Sequence, residues 1–164
     1  MLYSRDELEG RAEKYCYEHQ IERVEFLGRG AQGIVYSTNR KSAIKIHGRE
    51  PAYQRERDVY LRLREFDFTQ IRGLGVPSLM QSDDQLWILE LAFVSAPFVL
   101  DFGAAYLDEM PDFPEDPHDA EDREKENRDL FGANWPEVQR IIRAFQSHGI
   151  YITDLHPGNI RFRE

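Results

Sequence analysis

Glycine-rich turns matter chemically when their backbone amides can close on an anion, and one such turn is Gly28-Arg29-Gly30-Ala31-Gln32-Gly33-Ile34-Val35. Its pattern is G-x-G-x-x-G-x-V. The strand-like Ile34-Val35-Tyr36 inside and after it favours a hairpin folded over nucleotide phosphates, not the opening of a dinucleotide-binding helix. A Cβ at the glycines would hold the amides away from phosphate oxygens. Twelve residues past Gly33, Ala43-Ile44-Lys45-Ile46 places a single lysine in an apolar strand. Desolvating an ammonium is expensive, so Lys45 either meets an anion or is an edge residue whose stem carries the charge out to water. Glu56 is the best protein partner. Val59, Tyr60 and Leu63 follow it at i+3, i+4 and i+7, which puts it on the inward face of a helix.

The elements that must position these groups can be read from periodicity. Ser4 and Glu7 fit a capping box, and Leu8, Ala12, Tyr15 and Cys16 at helical spacing predict a first helix to about His19, packed across a sheet. Strands are expected at Val24 to Leu27, Gly33 to Thr38 and Ser42 to Ile46. Glu50-Pro51 opens a second helix whose apolar face is Tyr53, Val59, Tyr60 and Leu63. Two more strands, Ser78 to Gln81 and Gln85 to Leu91, flank an Asp83-Asp84 turn. Five strands with one intervening helix make a small α+β lobe. Met110 to Asn127 carries eight acids against two bases and three prolines, and reads as a polar surface insertion. Pro136 opens a helix with Val138, Ile141, Ile142 and Phe145 inward and Gly149 closing it, and a hairpin is expected over Tyr151 to Phe162.

From about Val24 to Phe162 the chain resembles the protein-kinase-like superfamily, with the motifs in that family's order. The resemblance implies a kinase-like N-lobe, a five-stranded antiparallel sheet plus helix, over residues 21–92. A reduced, mostly helical C-lobe would cover 93–164, with an acidic insertion at 110–127 and an N-terminal helix at 1–20 ahead of the lobe, all within one domain. Leu86 to Ala92 resembles the fifth strand and hinge, with Leu89 as gatekeeper and Glu90 and Ala92 offering backbone groups to adenine; Ala31, Val35, Ala43 and Leu89 would line the adenine cleft. Asp154-Leu155-His156-Pro157-Gly158-Asn159 has the D-x-x-x-x-N spacing of the catalytic loop. By resemblance Asp154 is the base for a substrate hydroxyl, Asn159 a Mg2+ ligand, and Lys45 with Glu56 positions ATP. The loop is most similar to that of aminoglycoside and other small-molecule kinases. Ile152-Thr153 replaces the usual His-Arg, which implies no control through a phosphorylated activation loop. Only Ile160 to Glu164 follow Asn159, too few for the metal-binding Asp-Phe-Gly. An Asp101-Phe102-Gly103 occurs out of order, before the loop, where Asp101 either reaches the nucleotide metal or belongs to a packing element spanning Val99 to Tyr106.

Composition narrows the partners. Lys and Arg number 21 against 30 Asp and Glu, a formal net charge of −9 that would repel a phosphate backbone and an anionic membrane surface. Nucleic acid and membrane are therefore not expected as partners. One cysteine, Cys16, fits a reducing, cytoplasmic setting and a structural thiol, and five scattered histidines give no zinc spacing. The expected activity is ATP-dependent phosphoryl transfer to a hydroxyl acceptor. The alternative is a nucleotide-binding pseudokinase that regulates or binds a protein partner.

Overall fold

The computed structural model describes residues 3–99, 101–112 and 117–163. They form two compact units: Met1–Thr69 with Pro77–Val94, and Gln70–Val76 with Ser95–Glu164. The segment 70–76 thus clusters with the second unit, although the sequence places it inside the 21–92 block.

The first unit is α+β. Helix α1 (Arg5–His19) precedes strands β1 (Arg23–Gly30), β2 (Gly33–Thr38) and β3 (Ser42–His47), then helix α2 (Glu50–Glu65), β4 (Leu79–Asp83) and β5 (Ile88–Ala92). The five strands form one sheet in the order β1-β2-β3-β5-β4, every neighbour antiparallel. This is the expected α+β sheet with its intervening helix. Leu8, Ala12, Tyr15 and Cys16 of α1 pack against Ile34, Tyr36, Ile44, Ile46 and Ile88 from one face of the sheet. Fully burying each such Leu or Ile contributes about 1.5–3 kcal/mol relative to exposure. Ser4 occupies the N-cap of α1, but its side chain makes no capping bond; only its carbonyl enters the helix, accepting from Leu8 N at 3.3 Å. The Asp83 carboxylate accepts from the amides of Gln85 and Leu86 at 2.9 and 2.8 Å, so the turn runs through Trp87 and β5 starts later than Gln85.

In the second unit, Gln70–Ile71 and Leu74–Gly75 form a small hairpin through Arg72 and Gly73, both at positive φ. Gly75 pairs in parallel with Phe98, and Phe98–Val99 pairs with Ile160–Arg161. Ala105–Leu107 pairs with Ile150–Ile152. The hairpin expected over Tyr151 to Phe162 does not exist as such: its two strands belong to different sheets, each with an upstream partner. Helix α4 (Trp135–Gln146) carries Pro136 in its first turn and buries Val138, Ile141 and Phe145, with Ile142 partly covered.

The acidic segment, expected as a polar surface insertion with no element assigned to it, contains most of helix α3 (Pro117–Phe131). Its residues from His118 to Leu130 are exposed apart from a half-buried Asn127, so it lies at the surface as expected, but it is helical. Residues 113–116 of that segment lie outside the described residues. Among the described residues no helix is long and apolar enough to cross a membrane.

Candidate functional site

Antiparallel register puts Val35, Lys45 and Leu89 side by side, since Lys45 pairs with Val35 on β2 and with Leu89 on β5. Directly opposed residues point to the same face, and alternation adds Ala43 and His47 to that face while Ile44, Ile46 and Glu90 point to the α1 side. Helix α2 supplies Glu56 from its inward stripe with Tyr53, Val59, Tyr60 and Leu63. Lys45 Nζ lies 2.7 Å from Glu56 Oε2 and 3.0 Å from Oε1. The lysine side chain keeps 13% of its surface exposed against 1% for the glutamate, so the lysine is the more accessible member of the pair. His47 Nε2 donates to the same Glu56 Oε2 at 2.7 Å. Burial pushes the Glu56 carboxyl up, but the Lys45 charge and the His47 bond outweigh it and bring the pKa down to about 2.

The three glycines of the β1–β2 hairpin separate into two kinds. A Cβ on Gly33 would lie 1.9 Å from Ile46 O, so strand packing alone requires that glycine. At Gly28 and Gly30 nothing lies within 4 Å of an added Cβ. Crowding within the fold therefore does not account for Gly30. Gly28 pairs with Val35 and Gly30 with Gly33, leaving Ala31-Gln32 as a two-residue tip. Tyr3 OH donates to Gly30 O at 2.7 Å.

At the expected hinge, Leu89 is fully buried beside Lys45. The Glu90 side chain serves the opposite face, where it accepts from Tyr15 OH at 2.8 Å, Ser42 Oγ at 2.6 Å and Arg40 Nε at 2.6 Å. These bonds outweigh its desolvation and hold its pKa below the usual carboxylate value, while burial first and then Glu90 itself push the Tyr15 phenol up. The Ala92 amide donates to Ser78 O at 2.9 Å. Of the backbone groups expected to meet adenine, this one is already committed to the sheet edge.

In the second unit, the loop 153–159 joins Ile150–Ile152 to Ile160–Arg161, and the turn at Asp101 joins the partners of those same two strands. Thr153 ties the two connections together, bonding Ala104 O through its amide at 3.1 Å and its hydroxyl at 2.6 Å. His156 closes the loop: its carbonyl accepts from Asn159 N at 2.8 Å and its Nδ1 from Gly158 N at 2.9 Å. Asp154 is exposed and Asn159 half-buried. Asp101, at φ 61, accepts from Gly103 N at 3.1 Å and shapes its own turn, which buries Phe102 edge-on against Phe145 at 5.4 Å. Among the described residues no group of three or more His, Cys, Asp or Glu could hold a metal ion.

The chain matches no protein-family model and no curated protein. Among solved structures it is similar to the ternary complex of streptomycin, ATP and APH(2'')-IIa, at 15% identity and a TM-score of 0.41 over 52% of this chain. It is also similar to the ADP-bound aminoglycoside phosphotransferase APH(2'')-Ib, at 11% identity and a TM-score of 0.43 over 85% of this chain. The chain spans 28% of the length of the first and 54% of the second.

Sequence reasoning placed Lys45 and Glu56 together and missed His47. Two residues past Lys45 on one strand means the same face, but the expected strand stopped at Ile46, one residue short of the observed end at His47. It also missed the Tyr15, Arg40 and Ser42 cluster on Glu90, because a buried glutamate on a strand was read for its backbone alone.

Proposed function

We propose that this chain is an ATP-binding, kinase-like phosphotransferase acting on a hydroxyl acceptor. The observation that carries the reading is the Lys45–Glu56 pair, held on the sheet face opposite α1 with the lysine side chain partly exposed. Lys45 meets the nucleotide phosphates and Glu56 orients it. Gly28 and Gly30 admit phosphate oxygens to the hairpin amides, and the half-buried Val35 and Ala43, on the Lys45 face beside the buried Leu89, present apolar surface to adenine. Asp154 takes the proton from the acceptor hydroxyl as its oxygen bonds to the γ-phosphorus and the bond to ADP breaks. Mg2+, when bound, neutralises charge on the phosphates. Asn159 would contribute its side-chain amide oxygen to holding that ion.

Incubation with γ-labelled ATP and magnesium, alone and with a panel of aminoglycosides as hydroxyl acceptors, tests the reading. Labelled phosphate should be released or transferred, and Asp154→Asn should slow this by about a hundredfold or more with nucleotide affinity retained. A wild-type chain that binds ATP and turns nothing over contradicts transfer and leaves the regulatory, pseudokinase reading.

A further inference from the structure

Glu56 is met from two sides, by the Lys45 ammonium and by the His47 ring. His47 is fully buried, yet each ring nitrogen faces an acceptor: Nε2 faces Glu56 Oε2 at 2.7 Å and Nδ1 faces Trp87 O at 3.2 Å. Trp87 O also accepts from His47 N at 2.9 Å and Glu56 Oε2 also meets Lys45, but a neutral imidazole carries one N–H and one lone pair, so the ring itself bonds both acceptors only with a proton on each nitrogen. We propose that His47 is a positioning residue of this site, holding Glu56 as a carboxylate shared by two cations so that the Lys45–Glu56–His47 group keeps net positive charge for an incoming phosphate. The proposal rests on the phosphotransferase reading and adds a residue to it.

The surroundings fit a charged ring held in place. From α2, Tyr53 sets its ring edge-on to His47 at 5.6 Å, with its hydroxyl turned to Asp84 at 2.6 Å. From α1, the Arg11 guanidinium bonds the His47 carbonyl at 3.0 Å and lies over the Trp87 ring at 4.8 Å, so this nearby cation is engaged with carbonyl and ring. The only carboxylate that an atom of the His47 ring touches among these groups is Glu56. His47 also ties α2 to β3 through a bond that does not involve Lys45. When Lys45 turns to phosphate, Glu56 and its helix stay docked.

ATP titration of His47→Phe and His47→Gln, with thermal unfolding of each, and 15N spectra of the histidine rings in wild type and Glu56→Gln test the proposal. Loss of one charge-assisted contact should weaken ATP binding roughly tenfold in a folded His47→Phe. His47→Gln, which keeps an N–H toward Glu56 but no charge, should recover part of that loss. The wild-type ring should show a proton on both nitrogens, and Glu56→Gln should remove one. Wild-type ATP affinity in both His47 variants, or a bare nitrogen on either side of the ring, overturns the proposal. Should His47→Phe not fold, His47→Gln and the ring spectrum decide. A wild-type chain without ATP affinity brings down the phosphotransferase reading instead, and with it the role assigned here, whatever the ring spectrum shows.

Discussion

Leu89 stands directly across from Lys45 on the adjacent strand, while the next residue along, Glu90, stands across from Ile44 and points the other way. One step of alternation therefore divides the sheet's polar residues into a face that can meet a ligand and a face that is sealed by α1. The Tyr15 bond to Glu90, at 2.8 Å, belongs wholly to the sealed face. Tyr15→Phe should cost about 1.5–3 kcal/mol of stability, as for a hydrogen bond to a charged group, and leave ATP affinity unchanged. Urea unfolding and ATP titration of the same variant check both halves. A Tyr15→Phe protein that is as stable as wild type but binds ATP more weakly would place Glu90 on the ligand side.

The glycine hairpin gives a second separation of stability from binding. Gly33→Ala drives a methyl to within 1.9 Å of Ile46 O, so the strands must shift, at about 1–3 kcal/mol. Gly30→Ala meets nothing within 4 Å and should change stability by less than about 0.5 kcal/mol, yet weaken ATP binding by obstructing the hairpin amides. Parallel melts and titrations of the two variants distinguish the packing glycine from the binding glycine. Equal ATP affinity in Gly30→Ala and wild type removes the phosphate role.

Acid should act through Glu56. Its pKa falls from 4.5 to about 2 on folding, so the ionised pair contributes stability that is present above pH 4.5 and lost as pH drops through about 2. At 1.36 kcal/mol per unit the contribution is about 3 kcal/mol. The stability difference between wild type and Glu56→Gln should therefore narrow steadily between about pH 5 and pH 2. Urea midpoints over that range measure it, and a difference that stays constant would show that Glu56 titrates normally in the folded chain.

What could be read from the sequence was local. Lys45 announced itself as a charge in an apolar strand, Glu56 as an acid within a helix stripe, and the five strands as short apolar runs between turn signals, but not their order, in which β5 rather than β4 lies beside β3. Long-range pairing was not legible. Ile150–Ile152 and Ile160–Arg161 read as strands, but alternation does not name a partner, and their partners lie at Ala105–Leu107 and Phe98–Val99. Helix α3 was hidden for a different reason. It has no apolar stripe, and what favours it is the intrinsic helix preference of Glu, Lys, Arg and Ala and an i,i+4 pair, Glu124 with Arg128 at 2.8 Å. The strands Gln70–Ile71 and Leu74–Gly75 are two residues each, too short for alternation to register.

Titration of ATP into wild type and Lys45→Met, with and without magnesium, tests the central claim most directly. With Lys45 gone, His47 still counters Glu56 at 2.7 Å, so the variant should remain folded by its melt. Wild type should bind ATP, more tightly with magnesium than without. Lys45→Met should bind roughly tenfold or more weakly, the equivalent of about 1.4 kcal/mol for the lost phosphate contact. A folded Lys45→Met with wild-type affinity, or a wild-type chain with no affinity for ATP, would contradict the account.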